Sequence, residues 1–401
     1  MISKGLVERI YESASIQRWN EYVRPTDLTE LDKQAHKMVI AYLLAKSEEC
    51  EGKNPIHWVN LIEGGIFEFL QRVVLTDLKP AIYHQLMLRK GRELNEWVLR
   101  ELDADISGIK GGFARKFRLY FSGDDQTVER RILKAAHYLA TLWEFRIVYS
   151  SNRFIYDIEQ TKQDLENQLE DHYHLIGVQK ISLGKKSSGL IDLCGQLRFQ
   201  QRWAQSPRLP KTSVLGHMLI VALFSYFAAI EMGSCPKRIY NNFFSALFHD
   251  LPEVLTRDIV SPVKSSVAGL QEIIAGYEDM QIEERVLPLL PVLWHEEFRY
   301  FVQEPFVNKI IKDGAVLKDI SNEEINEHYN QDYFAPLDGK VLKACDHLAA
   351  FIEASLSMQH GVRSKHLLEG KRKLAKMYQE KTIAGLDFGK VFGYFADDDL
   401  A

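Results

Sequence analysis

The chain has 401 residues and a formal net charge of −5 at pH 7, with 46% hydrophobic and 26% charged residues. This length exceeds that of a usual single domain, so we expect two domains. Basic and acidic residues are interspersed without a large basic stripe, so nothing in the sequence predicts binding to nucleic acid.

The cysteine and apolar patterns predict a cytoplasmic protein that has no membrane partner. The N-terminus lacks the layout of a signal peptide, and the longest apolar stretch, residues 218–230, is too short to span a bilayer. The cysteines stand singly, with no spacing typical of a disulfide framework or a zinc ribbon, which indicates a reducing compartment. They are Cys50, Cys194, Cys235 and Cys345.

Apolar residues recur at helical spacing along most of the chain, so we predict an all-α fold. The predicted helices, in chain order, cover residues 30–46, 58–73, 92–103, 129–149, 213–231, 240–249, 267–278 and 341–357. Strand-like alternation is limited to residues 116–121. Residues 166–194 have a charged opening and a later run rich in Gly, Ser and Lys, so we interpret them as a linker between two domains.

Five short segments of the first half recur, in the same order, in the second half. The first four echoes are separated by about 181 to 188 residues and the fifth by 209, which predicts an insertion near residues 290–335. This order indicates a tandem duplication. The pairs are 16–19 with 200–203, 35–41 with 216–222, 74–78 with 255–259, 96–99 with 284–287, and 133–140 with 342–349.

A His-Asp pair, His249-Asp250, ends one predicted helix. Glu253 follows His249 by four residues and Asp250 by three. On a helix these side chains share a face, which suits a general acid or base beside a metal.

Two distant residues complete a set of metal ligands. His217 lies in an apolar helix, and Asp346 is a carboxylate in an apolar run, where it needs a partner once it is buried. Together with His249 and Asp250 they offer imidazole and carboxylate groups to one divalent ion, which suits Mn, Fe, Co, Ni, Zn or Mg.

The order His, His-Asp, Asp resembles that of the HD-domain metal-dependent phosphohydrolases. The amino-acid sequences of residues 249–264 and 343–350 are similar to those of the 5′-deoxynucleotidase branch of that family. Other branches fit less well, because they place a second acid after the glutamate or a histidine in its position. The resemblance covers about residues 195–360 and implies removal of the 5′-phosphate from deoxyribonucleoside monophosphates with one divalent metal.

The resemblance also implies a role for each residue of the site. His217, His249, Asp250 and Asp346 would bind the metal, and Asp250 would help to orient the attacking water. Glu253 would be the catalytic carboxylate that moves a proton. Substrate contacts would come from Arg202 on the phosphate, where it also aids catalysis, and from Trp203, Asp258 and Lys264.

The first half departs from the family pattern at the site. Glu68-Phe69 stand in register with His249-Asp250, Arg72 with Glu253, and His137 with Asp346. We interpret this half as a degenerate copy that keeps the fold and loses the chemistry. Two alternatives stay open: His36, Glu68 and His137 could bind a different metal, or the retained Arg18, Trp19 and Asp77 could bind a nucleotide without turnover.

We therefore predict two tandem HD-type helical domains: a degenerate one over 1–165, the linker over 166–194, and an intact phosphohydrolase over 195–401. The substrate class is a small phosphomonoester or nucleotide. Since family members pair, we expect an intramolecular pseudo-dimer and allow further homo-oligomers. The alternative function is a nucleotide-sensing or scaffold protein whose turnover is vestigial.

Overall fold

The computed structural model describes residues 2–52, 54–76, 78, 80–123, 127–257, 267 and 269–396, and confirms the all-α fold. Each predicted helix overlaps an observed one. The α-helices are Lys4–Glu12, Glu30–Cys50, Trp58–Leu75, Pro80–Ile106, Phe113–Ser122, Val128–Asn152, Ile158–Glu170, Ile176–Ser182, Lys186–Gln196, Val214–Glu231, Pro236–Phe248, Glu253–Thr256, Leu270–Gln281, His295–Val302, Asn322–Glu324, Gly339–Gln359, Lys365–Tyr378 and Phe388–Gly393.

Half of the shorter elements among the described residues lie in the region predicted as an insertion. An antiparallel hairpin pairs Lys309–Lys312 with Ala315–Lys318, and a smaller one pairs Thr382–Ile383 with Leu386–Asp387. Single turns of 3₁₀ or π helix are Leu197–Phe199, Ile282–Val286, Leu287–Leu289, Val292–Trp294, Ile325–Tyr329 and Asp332–Phe334.

The chain divides into two compact units. The C-terminal unit comprises Met1–Glu8, Asp105–Phe113 and Gln196–Ala401, and the N-terminal unit comprises Arg9–Ala104 and Ala114–Gly195. The C-terminal unit thus includes two short segments from the first half of the sequence, which the predicted boundary at residue 195 left out. Their apolar side chains are core residues: Leu6 is fully buried, and the Phe113 ring lies 5.4 Å from that of Phe227.

The core of the C-terminal unit is built on helix Val214–Glu231, which packs against Pro236–Phe248 and Gly339–Gln359. Its composition is apolar enough for a membrane span, but 89% of that window is buried inside the protein, so core packing accounts for it. The fully buried Arg238 forms an ion pair of 2.6 Å with Asp338. Asn242 donates to the same carboxylate at 2.7 Å, so the helix before His249 is fixed to the start of the helix that carries Asp346.

Two expectations for the N-terminal unit were wrong. Residues 116–121, predicted as a strand, lie in helix Phe113–Ser122, because Phe117 and Phe121 recur at a spacing of four and Phe117 packs on Phe67. The predicted linker 166–194 carries helical segments instead. They pack into this unit through buried residues such as Val178 and Leu190. The Gly-, Ser- and Lys-rich run around these residues is polar, so the sequence did not indicate that they are buried.

The buried His172 is expected to make the N-terminal unit sensitive to acid. Its ring stacks on Tyr138 at 5.6 Å, and neither ring nitrogen has a hydrogen-bond partner among the described residues. Burial, followed by the charge of Lys134, lowers the pKa of His172 to about 4. The unfolded chain therefore binds this proton more tightly, and the free energy of unfolding should fall as the pH drops from about 6.5 towards 4.

Denaturant unfolding of the His172→Phe protein at pH 7 and at pH 4.5 tests this expectation. The substitution keeps an aromatic ring against Tyr138 and removes the titrating group, so the loss of stability between the two pH values should shrink. The matched control is His174→Phe, because His174 is exposed nearby. An unchanged difference between the two pH values in His172→Phe would assign the acid sensitivity to other groups.

Candidate metal centre

His217 lies in the first turns of helix Val214–Glu231. Ser213 caps this helix, its hydroxyl accepting from the Gly216 N–H at 2.9 Å. The His217 side chain is fully buried, and its Nε2 atom lies 3.1 Å from Asp346 Oδ1. The same nitrogen is 3.9 Å from Asp250 Oδ2. The imidazole of His217 therefore lies between two carboxylates from distant parts of the chain.

His249 and Asp250 follow directly after helix Pro236–Phe248. The Nδ1–H group of His249 donates to the Ala246 carbonyl at 2.7 Å, which leaves the lone pair on Nε2. That buried Nε2 atom lies 3.2 Å from Asp250 Oδ2 and forms no aligned hydrogen bond within the described part of the chain. A nitrogen lone pair buried without a donor fits a metal ligand.

The ligand atoms of His217, His249 and Asp250 all lie within 4.8 Å of one another. With Asp346 on the other side of His217, the structure brings together all four residues predicted to bind metal. Two imidazoles and two carboxylates are a suitable set for one divalent transition-metal ion. The four residues therefore fit such an ion, although the geometry does not choose between the metals.

The charges of the cluster favour a cation at its centre. Although burial alone would raise it, the charge of Lys343 and the hydrogen bond with His217 hold the pKa of Asp346 well below its usual value. Burial likewise opposes ionisation of Asp250, but the neighbouring His249 and the charge of Arg202 lower its pKa. Both carboxylates are thus ionised at neutral pH, the form in which they bind metal.

Arg202 connects this cluster to a cavity of about 390 Å³. Its guanidinium lies 3.5 Å from Asp250 Oδ2, and it lines the cavity with Arg208 and Lys211 among others. A phosphate group held by Arg202 would therefore lie beside the four clustered residues.

Glu253 begins the short helix Glu253–Thr256, and it is buried with 4% exposure. The Gln200 side-chain amide donates to its backbone carbonyl at 3.0 Å, which fixes the turn that follows Asp250. The predicted substrate residues Asp258 and Lys264 lie outside the described residues, as does Asp77.

Comparison with known proteins identifies the segment that carries this cluster. The family model for the HD domain matches residues 194–375, a range that contains all four clustered residues. Residues 194–375 form an HD domain. No curated protein matches the chain.

A crystal structure of an HD-domain phosphohydrolase from Listeria innocua is similar to the chain at 19% sequence identity. The similarity covers 52% of this chain and 85% of that chain, with a TM-score of 0.36. A similarity of this size supports no conclusion about activity.

The HD domain contains two residues near the ligands that sequence reasoning missed, Lys343 and Glu353. Lys343 donates to Asp346 Oδ2 at 2.8 Å. Glu353 is buried, with its Oε1 atom 3.5 Å from His217 Nδ1. Both lie on helix Gly339–Gln359, three residues before and seven after Asp346, so their helical spacing was a signal that could have found them.

Glu353 also holds the segment that carries Trp203. It accepts from Trp203 Nε1 at 3.0 Å and from Thr212 Oγ1 at 2.7 Å, and it pairs with Arg208 at 3.7 Å. Trp203 has a positive φ of 58°, a strained conformation for a bulky residue that such contacts stabilise. The indole N–H of Trp203 is therefore bound to Glu353, so only the ring faces of Trp203 remain for contact with a substrate.

We expect Glu353→Gln to weaken metal binding by about 10–100-fold, since an outer carboxylate that orients a ligand imidazole has an effect of this size. The amide keeps the shape but loses the charge that faces Arg208 and His217. Metal affinity measured by competition with a chelator checks this. The exposed Glu369→Gln is the control, and equal affinities of the two variants would show that Glu353 supports only the fold.

The N-terminal unit repeats the backbone frame around this segment of the HD domain. Thr29 caps helix Glu30–Cys50 as Ser213 caps its own, and Gln17 bridges to Thr29 as Gln201 bridges to Ser213. Trp19 has a φ of 59° and donates to Glu144 at 3.0 Å, which matches Trp203 and Glu353.

This frame corrects the predicted pairing of His36 with His217. His217 is the fourth residue after its cap, and the fourth residue after Thr29 is Lys33. Lys33 Nζ lies 2.6 Å from His137 Nδ1, as His217 lies beside Asp346. His36 instead hydrogen-bonds the Ile191 carbonyl at 2.9 Å, and the shared residue type had misled the alignment.

The alternative metal site of the N-terminal unit finds no support. Among the described residues, His36, Glu68 and His137 do not form a group with the spacing of metal ligands. Glu68 is instead paired with Lys37 and accepts from Tyr120 at 2.6 Å.

Proposed function

We propose that the HD domain is a metal-dependent phosphohydrolase that acts on deoxyribonucleoside 5′-monophosphates or similar small phosphomonoesters. The observation that carries the proposal is the convergence of His217, His249, Asp250 and Asp346, with Arg202 between this cluster and a cavity. The branch resemblance of residues 249–264 supplies the substrate class.

The four clustered side chains would hold the ion, with the Glu353 carboxylate 3.5 Å from His217 Nδ1 and with His249 oriented by the Ala246 carbonyl. A divalent ion at such a site lowers the pKa of water and polarises a phosphoryl oxygen.

The chain's own groups would divide the remaining work. Arg202 would bind phosphoryl oxygens and stabilise the charge that develops on them. Asp250, 3.5 Å from Arg202, would accept a hydrogen bond from the attacking water and so orient it. Glu253 would supply a proton to the sugar oxygen that leaves.

A panel of phosphomonoesters tested with Mn, Co, Ni, Zn and Mg on the full-length protein would test the activity. We expect turnover that depends on an added ion, with deoxyribonucleoside 5′-monophosphates preferred over sugar phosphates. Metal binding without turnover of any phosphomonoester would reject this function and favour the nucleotide-sensing alternative.

We also propose that the N-terminal unit is a degenerate copy of the HD domain. The helix caps, the backbone bridges and the contacts between tryptophan and glutamate occur in both units, which supports a duplication. Each of these contacts joins residues of the same unit. A further match is the positive φ of Thr76, 59°, and of Arg257, 65°, which are 181 residues apart, as in the echo of 74–78 with 255–259. The pseudo-dimer, further homo-oligomers and the cytoplasmic location stay predictions.

A further inference from the structure

In the N-terminal unit, three positions that correspond to the candidate metal centre carry basic groups, whereas Glu68 and Phe69 stand where the other unit has His249 and Asp250. In the frame set by the caps and by Thr76, Lys33 replaces His217 and Arg72 replaces Glu253. Glu144 and Glu353 correspond to each other, because each accepts from the tryptophan of its own unit. His137 and Asp346 each lie seven residues before that glutamate, so His137 replaces Asp346. A site that favours a cation in one unit is therefore richer in basic side chains in the other.

The carboxylates of this cluster are already paired with other basic residues. Arg18 Nη1 lies 2.8 Å from Glu30, and its Nε lies 2.9 Å from Glu144. Lys37 is paired with Glu68. These pairs account for three carboxylates and two basic side chains of the cluster.

Lys33 and Arg72 are less completely paired with carboxylates than Arg18 and Lys37 are. Lys33 Nζ contacts His137 at 2.6 Å and is 4.0 Å from Glu30, which is shared with Arg18. Arg72 stacks on the ring of Tyr83 at 4.2 Å, and it has no ion pair within the part of the chain that the structure describes. Four basic side chains thus face three carboxylates in this cluster, and such an excess of basic groups favours an anion.

The cluster is partly exposed to solvent. Lys33, like His217, is fully buried, whereas Arg72, His137 and Glu68 are partly exposed, as Asp250 is in the HD domain. An anion can therefore reach the cluster from the side of Arg72 and Glu68.

We propose that the N-terminal unit binds the phosphate group of a small ligand at this cluster, without a metal, through Arg72, Lys33 and His137. The ligand is inorganic phosphate or a phosphomonoester. Arg72 presents its guanidinium edge to the phosphate oxygens, and Lys33 and His137 contact the oxygen that points inward. The N-terminal unit then binds a ligand at the positions where the other unit has its candidate metal centre.

The electrostatic state of His137 agrees with this proposal. Burial, followed by the charges of Lys33 and Arg72, holds the pKa of His137 well below its usual value. Burial likewise holds the pKa of Lys33 well below its usual value, and the charges that act on it come from Glu30, Arg18, Lys37 and Arg72. An anion would relieve the repulsion at both groups, so its binding should be accompanied by proton uptake.

Calorimetric titration of the full-length protein with inorganic phosphate tests the site. The protein is first treated with EDTA and carries Arg202→Gln, so that the HD domain contributes neither its metal nor its arginine. We expect one equivalent of phosphate to bind, and about tenfold or weaker binding in Arg72→Gln, the loss expected for one charge-assisted contact. The exposed Lys134→Gln removes one positive charge from the same unit and should change the affinity by less than about twofold.

A second variant and a second ligand complete the test. Lys33→Met should weaken phosphate binding and reduce the proton uptake that is measured in buffers of different ionisation enthalpy, since His137 alone remains to take up a proton. Deoxyadenosine 5′-monophosphate that binds more tightly than phosphate, through the same residues, would identify a nucleotide as the ligand. Weaker binding of the nucleotide would identify free phosphate.

Two results would overturn the proposal. The first is absence of phosphate binding at millimolar concentration in a protein that melts normally. The second is binding that Arg72→Gln and Lys33→Met both leave unchanged. The measurement needs no turnover, so neither result bears on the phosphohydrolase activity of the HD domain.

Discussion

Asp250→Ala is expected to abolish both metal binding and the proposed phosphohydrolase activity. The Asp250 carboxylate lies 3.2 Å from His249, 3.9 Å from His217 and 3.5 Å from Arg202, so one substitution removes the group that all three face. The loss should exceed the roughly 10–100-fold effect typical of an outer partner of a ligand. Elemental analysis should give one equivalent of metal for the parent protein and close to none for the variant.

The control for this prediction is Asp279→Ala, because Asp279 is an exposed aspartate on helix Leu270–Gln281. That variant should keep the metal and the parental rate. A parent protein that holds two equivalents of metal would contradict the expectation of a single centre. So would an Asp250→Ala protein that retains its metal and turns over substrate.

The second large effect is expected for Glu253→Gln, which should keep the metal and lose turnover. Glutamine has the shape of glutamate but cannot donate or accept the proton, and loss of a general acid or base typically costs about 10²–10⁴-fold in rate. Metal content and kcat should be measured on the same preparation, because Glu253 is buried and its loss could also disturb the turn after Asp250.

The exposed Glu272→Gln serves as the matched control, since it makes the same chemical change on the helix Leu270–Gln281. It should leave kcat within about twofold, as expected for a surface substitution. Near-normal kcat in a metal-bound Glu253→Gln protein would reassign Glu253 to a structural role.

Much of the fold was predictable, because helical periodicity is a local signal. The buried helices 213–231 and 341–357 stood out from their apolar spacing alone. The helical segments within 166–194 did not, since they are short and polar, and their few buried residues, such as Val178 and Leu190, gain stability only from tertiary contacts. The inclusion of Asp105–Phe113 in the C-terminal unit is a long-range arrangement that no local pattern encodes.

The candidate site shows the same division between local and distant signals. Motif spacing named His217, His249, Asp250 and Asp346, and the structure brings them together. Glu353 was missed because its importance depends on contacts with Trp203, Thr212 and Arg208, which lie about 140–150 residues away in the chain. The register error at His36 arose because matching residue types outweighed the helix cap, whereas the cap fixes which residue faces the centre.

The split construction of the C-terminal unit links the stabilities of the two units through chain connectivity. Residues 9–104 and 114–195 leave this unit and return to it. When the N-terminal unit is unfolded, both stretches are long flexible loops, and closing them costs entropy that grows with the logarithm of their length. Folding of the N-terminal unit orders both stretches and so shortens the flexible part of each loop. A substitution that creates a cavity in the core of the N-terminal unit should therefore lower the melting temperature of the C-terminal unit. It should do so although the N-terminal unit contributes no ligand to the candidate metal centre.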